Sequence, residues 1–235
     1  MRSTEGRRAS PMVLLVALAG FLGIGAAVVL ILVVGGNGSG SSSTTGTLPD
    51  ANVIAQQFDG IPQAGNVLGK KTAPVTMVEY IDLQCPVCRA FETDVMPTII
   101  DRYVRTGKLK VEARPIAIIG PDSERGRHAM IAAERQNRAF NFAQLLYFNQ
   151  GAENSGWLDD SIVAAAARST PGVNVKALQD AMNSSSVADE AQTDQVGGTP
   201  TVLAGKTGGK LATVTPGGSP DVAALSAAID TALRG

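Results

Sequence analysis

The sequence predicts an α/β domain with a mixed β-sheet, a helical insertion, and one transmembrane helix ahead of it. Three observations carry this. An uncharged apolar run near the amino terminus is long enough to span a bilayer. Short β-branched segments alternate with helical ones on either side of an Ala-rich helical stretch. Both cysteines of the chain fall within one four-residue motif at a strand-to-helix junction. The 235 residues are 44% hydrophobic and 4% aromatic, with a formal net charge of −1. That length supplies one or two domains with a sizeable core. Near-neutral charge and few aromatics argue against a nucleic-acid partner, which calls for a basic face or stacking platforms.

Met12 to Val34 is a run of 23 residues without a charge, and about 20 such residues suffice to cross a bilayer. Arg2, Arg7 and Arg8 precede it, and the next basic residue is Lys70. The positive-inside rule then leaves residues 1–11 in the cytoplasm and everything after Val34 outside, with residues 12–34 as a single-pass cell-membrane anchor. A cleaved signal peptide is the competing reading, but its apolar core needs only about 7–15 residues. Residues 35–47 contain only Gly, Ser, Thr and Asn. Such a flexible linker has an end-to-end distance of about 20 Å. The folded domain is expected over residues 48–235.

Within it, Pro74–Ile81 is β-branched and mostly apolar, the pattern of a strand covered on both faces. The cysteine motif follows, and from Pro86 the pattern turns helical, with Cys88, Phe91, Val95, Ile99 and Tyr103 spaced by three or four. Pro86 suits the first helical position, and Pro97 predicts a kink. Leu109–Ile119 reads as a second strand. An Ala-rich helical insertion covers about residues 121–196, broken near Gly151–Gly156 and Pro171-Gly172. Thr201–Ala204 and Leu211–Val214 read as two further strands, and Asp221–Leu233 as an amphipathic closing helix.

Cys85-Pro86-Val87-Cys88 carries the chemistry. Zinc needs four ligands, and the chain has two cysteines and one histidine, so no metal is expected. A purely structural disulfide across so short a loop would restrict the unfolded chain little. Redox exchange fits better. Cys85 precedes a helix, where free N–H groups and the positive dipole end favour a thiolate. The amides of Val87 and Cys88 are the donors, since Pro86 has none. A lowered pKa makes Cys85 a ready nucleophile and a good leaving group. Cys88, one turn on and on the apolar stripe, is expected to be buried and to act as the resolving thiol.

The sequence resembles the DsbA-like branch of the thioredoxin superfamily, in its membrane-anchored bacterial form. The resemblance rests on Leu68-Gly69, Ala73-Pro74-Val75-Thr76, Glu79-Tyr80, Asp82, Gln84-Cys85-Pro86-Val87-Cys88-Arg89 and Gly198-Thr199-Pro200-Thr201. It implies a thioredoxin-like fold with a helical insertion, and an extracytoplasmic enzyme that introduces disulfides into cysteine-containing secreted or envelope polypeptides. A quinone-linked membrane reoxidase would recover the electrons, and the redox-active Cys85–Cys88 disulfide would be the only cofactor. It also implies that Pro200 is a cis-proline facing the pair, that Thr199 helps bind an extended substrate alongside Pro86 and Val87, and that Glu79 relays protons. The residues agree in part: Glu79 shares a strand face with Val75, Met77 and Ile81. Strongly oxidising members of the family often carry a histidine between the cysteines. Valine cannot donate to the thiolate, so a less oxidising couple is expected here.

Other residues are assigned bland roles. His128 reads as a surface or capping residue, Trp157 as a core or groove residue, Arg89 as a solvated helix position, and Glu153, Asp159 and Asp160 as loop and helix-start positions. Several related isomerases dimerise through an added amino-terminal domain; no such domain is read here, and a monomer is expected. Two alternatives remain open at this point: a reductase or isomerase using the same site, and a tethered polypeptide-binding module with no redox cycle.

Overall fold

The computed structural model describes residues 46–190, 196–214 and 218–235. The apolar span at residues 12–34, and all of the expected linker but its last two residues, lie outside these. Among the described residues no helix is long and apolar enough to cross a membrane.

A six-stranded sheet runs in the order β1-β2-β4-β3-β5-β6. Its strands are β1 (Gln63–Ala64), β2 (Val67–Leu68), β3 (Val75–Ile81), β4 (Leu109–Pro115), β5 (Thr201–Lys206) and β6 (Ala212–Thr213). Only β3 and β4 are parallel, and the other pairings are antiparallel. The helix-bearing connection that leaves β3 and returns as β4 accounts for the parallel pair. β3 lies between β4 and β5 and is covered on both faces, as its β-branched run requires: six of its seven residues are buried.

The helix after β3 is interrupted. α2 (Pro86–Ala90) runs into a π-helical stretch, Phe91–Val95, then α3 (Met96–Ile99), then a second π stretch, Ile100–Val104. Met96 N–H reaches back five residues to the Phe91 carbonyl. The expected disturbance at Pro97 thus takes the form of a widened turn just ahead of the proline. Each π turn adds one residue and rotates the buried face. Phe91, Glu92, Met96, Ile99, Ile100, Tyr103 and Val104 are buried, while Val95 is only half-buried.

The helical insertion comprises α4 (Pro121–Glu134), α5 (Ala139–Phe148), α6 (Asp160–Ser169), α7 (Val175–Met182) and α8 (Ser185–Glu190). Asp159 caps α6 by accepting from the amides of Ser161 and Ile162, and Asn174 caps α7. α5 is covered all round, from Ala139 to Tyr147. Its Phe142, Leu146 and Tyr147 join β3 and Phe91 in one continuous apolar core. Burying a side chain of that size contributes about 2 kcal/mol. α9 (Val222–Arg234), capped by Asp221, closes the chain against β5 and β3.

Three expectations needed correction. The second strand ends at Pro115, not Ile119. Pro115 has no N–H to extend the ladder, and the amides of Ile118 and Ile119 turn instead to the Asp82 carboxylate. The strand expected over Leu211–Val214 shrinks to Ala212–Thr213. A third difference is the presence of α1 (Ala51–Gln57) and the β1–β2 hairpin, which are too short for their patterns to stand out in the sequence.

Candidate active site

The motif sits where β3 hands over to α2. Cys85 is the N-cap of α2 and Pro86 its first residue, the position at which a missing N–H costs nothing. The Cys85 sulfur accepts from the Cys88 N–H at 3.4 Å. As a thiol it points its own proton at the Thr199 carbonyl, 3.5 Å away. The Thr199-Pro200 peptide bond is cis, and residues 114 positions apart thereby share one site. Both cysteines are free thiols. Cys85 exposes 6% of its surface and Cys88 none. Pro86 and Val87 are exposed, Thr199 is half-buried and Pro200 is buried.

The two thiols are driven in opposite directions. Cys85 is lowered from 9.0 to about 6. The hydrogen bond from the Cys88 thiol contributes most, with further donors at Thr199 and the amides of Cys88 and Val87 outweighing desolvation. Cys88 is pushed far up, first by burial and then by its place beside Cys85. The outer sulfur is therefore suited to be a thiolate at neutral pH, and the inner one to hold its proton.

Beneath the pair lies a group of buried acids. Glu79 projects from β3, 1% exposed, and is raised well above the usual carboxylate range by burial and then by Glu92. Glu92, on the first π turn, is raised by burial to about 8. Glu79 Oε2 and Glu92 Oε1 have no hydrogen-bond partner. Tyr147, on α5, donates its hydroxyl to the Asp82 carbonyl at 3.2 Å. Burial raises its pKa, and the charges of Cys88, Glu92, Asp82 and Glu79 add to the effect. Two carboxyls in one dry site keep at least one proton between them at neutral pH. Together these acids form a proton reservoir whose charges bear on Tyr147, as that of Cys88 does.

Asp82 is fully buried and acts as a hub. Its Oδ1 accepts from the Gln84 amide at 2.9 Å, and its Oδ2 from the amides of Ile118 and Ile119 at 3.0 and 3.3 Å. Its own carbonyl accepts from the Cys85 amide at 2.9 Å.

The sequence reading had named Cys85, Cys88, Glu79, Pro86, Val87, Thr199 and Pro200, and these lie in one region around the motif. It missed Glu92 and Tyr147. Glu92 lies four residues after Cys88, on the same face of a regular helix, but a lone carboxylate there reads as solvated. Tyr147 belongs to a fully buried helix that has no polar face to read. His128 lies elsewhere, 3.9 Å from Glu124, lining a cleft of about 640 Å³ in the helical insertion whose walls include neither cysteine. Trp157 packs half-buried against the core. Arg89 is exposed, and Asp160 pairs with Arg125 at the surface. Among the described residues no group of three or more His, Cys, Asp and Glu side chains is placed to hold a metal ion.

A family model described as Thioredoxin matches residues 63–231. A probable disulfide bond formation protein D of Bacillus cereus is 29% identical over 177 residues, 71% of this chain and 78% of that protein. Disulfide bond formation protein D of Bacillus subtilis is 27% identical over 133 residues, 54% of this chain and 59% of that protein. Among solved structures, oxidised BdbD from Bacillus subtilis aligns with a TM-score of 0.63 at 22% identity, covering 74% of this chain and 98% of that one. Wolbachia pipientis alpha-DsbA1 aligns at 0.60 and 22% identity, over 71% and 89%.

Proposed function

The chain belongs to the thioredoxin family as a DsbA-like protein thiol–disulfide oxidoreductase, and we propose that it is the oxidant of paired cysteines in secreted or envelope polypeptides. The observation that carries this reading is the opposed tuning of the two thiols. A couple whose reduced form holds a stabilised thiolate is thermodynamically inclined to be reduced, and so to oxidise others.

In the proposed cycle a substrate thiolate attacks the Cys85 sulfur of the Cys85–Cys88 disulfide. The Cys85–Cys88 bond breaks, a substrate–Cys85 disulfide forms, and Cys88 leaves with the electron pair. Cys88 then takes a proton from the reservoir of Glu79, Glu92 and Tyr147. A second substrate thiolate attacks the substrate sulfur of the mixed disulfide and releases Cys85 as a thiolate. Two electrons pass in all from the substrate to the pair, which gains one proton, on Cys88; the protons of the two substrate thiols go to solvent, from which the reservoir is refilled. Thr199 and Pro200, opposite Cys85, with the exposed Pro86 and Val87, would bind the substrate as an extended segment. The apolar run at residues 12–34 supports a membrane anchor with the enzyme outside, close to a membrane reoxidase that returns the pair to its disulfide. Tethering raises that partner's effective concentration.

Val87 grades the reading, because its side chain offers the thiolate no hydrogen bond. Titration of the full chain against glutathione is expected to give a potential between those of thioredoxin and DsbA, about −270 and −120 mV. A value at or below thioredoxin's would overturn the oxidant reading and favour the reductase. A value at or above DsbA's would overturn the argument from Val87. Cys85→Ala is expected to abolish exchange, and full biological activity in that variant would leave only the polypeptide-binding module.

A further inference from the structure

The turn that delivers Cys85 to the helix end is held largely from the helical insertion. Gln84, the residue before the nucleophile, is fully buried. Its side-chain amide donates to Ser123 Oγ at 3.0 Å and to Asn154 Oδ1 at 3.3 Å, and its oxygen accepts from the Asn154 amide at 2.6 Å. On either side of Gln84 the backbone carbonyls turn to a single side chain. Gln150 Nε2 donates to the Leu83 carbonyl at 2.9 Å and to the Cys85 carbonyl at 3.2 Å. A primary amide nitrogen carries two protons, so both bonds form at once. The flipped amide would set its oxygen against two carbonyl oxygens and is excluded. The Cys85 carbonyl also accepts the first helical bond, from the Arg89 amide at 3.0 Å.

We propose that Gln150 is a positioning residue for Cys85: its amide clamps the Leu83 and Cys85 carbonyls, fixing Cys85 at the cap of α2 and screening the sulfur from those two negative dipole ends. The inference rests on the reading of Cys85 as the nucleophile. Two consequences follow from the geometry. The sulfur meets the Cys88 amide only while Cys85 keeps its extended cap conformation, with φ −70° and ψ 119°, and a carbonyl free to turn would let that conformation drift. A carbonyl already engaged by a donor also opposes a nearby thiolate less than a bare one. The insertion thus supplies part of the electrostatic setting of the thiol, through a side chain 65 residues further along the chain. The titratable group set against Cys85 is Cys88, whereas Glu79 and Glu92 bear on Tyr147, as Cys88 itself does.

The test is the pH profile of Cys85 alkylation by iodoacetamide in the reduced full chain, with thermal unfolding followed separately. Gln150→Met keeps the length of the side chain and removes both donors. It is expected to slow alkylation about threefold on the acid limb while leaving the alkaline plateau unchanged. Gln150→Glu places a carboxylate against the two carbonyls and is expected to slow it further, about tenfold. A wild-type midpoint in either folded variant, whatever its melting temperature, overturns the proposal. Alkylation that persists in Cys85→Ala would instead sink the nucleophile reading beneath it.

Discussion

Glu92→Gln tests the buried acid group directly. Glu92 is 6% exposed, one of its oxygens has no partner, and burial lifts its pKa from 4.5 to about 8. The folded state therefore binds this proton more tightly than the unfolded state. The stabilisation is complete below the unfolded value and is lost as the pH rises towards 8. Between about pH 5 and about pH 8 the loss from this one group is on the order of 3 kcal/mol. For a domain of this size that corresponds to about 6–12 °C in melting temperature. The neutral amide removes this slope and also removes the Coulombic push on Glu79, whose burial remains. Glu92→Gln is thus expected to flatten part of the pH dependence, and Glu79→Gln with Glu92→Gln to flatten more. Thermal unfolding of the reduced chain at the two pH values measures it. If wild type and Glu92→Gln lose the same number of degrees between them, Glu92 is not the buried proton carrier inferred here.

The wild-type profile of Cys85 alkylation is expected to have its midpoint at about pH 6. Because this pKa is depressed, the thiolate's contribution to the reduced state is complete above 9.0 and is lost as the pH falls through about 6. A midpoint near 9 would show that the cap does not act on the sulfur. Asp82→Ala strands three amides, those of Gln84, Ile118 and Ile119. The Gln84 amide is buried whereas Ile118 is exposed, so unfolding in urea should show a loss of about 1–3 kcal/mol, and a loss under about 0.5 kcal/mol would show that Asp82 is no hub.

The parts of the site that lie on regular elements were legible. Glu79 could be placed because a strand alternates, which puts it on the face of Val75, Met77 and Ile81, and all four are buried. Cys85 and Cys88 could be placed because a proline at the first helical position fixes where the helix starts. The resemblance carried Thr199 and Pro200, since no local pattern ties them to residues 114 positions earlier. Glu92 was hidden by its charge: it lies four residues after Cys88 on the same face, where a lone carboxylate is rarely buried, while the π turn at Phe91–Val95 accounts for Met96 being buried in place of Val95. Tyr147, Gln150 and Asn154 were hidden for another reason. Tyr147 and Gln150 act through backbone carbonyls of the cysteine turn and Asn154 through the Gln84 side chain, and such contacts impose no pattern on the sequence at either end.

That difference bears on how the two thiols come to differ. They are three positions apart, so the helix alone sets one at the cap, where N–H groups point outward, and the other one turn inside, on the buried face. The sign of each shift follows from that offset and would hold in any chain that places this spacing at a helix start. Its size does not. The depth of Cys88 depends on a core closed by α5, and the hold on Cys85 depends on Gln150 just beyond the end of α5. One helix of the insertion therefore reaches both cysteines, from below through Tyr147 and from the side through Gln150. A change in the packing of α5 should move both thiols together, and so should a change at Thr199, which acts on both, whereas a change at Val87 should move Cys85 alone.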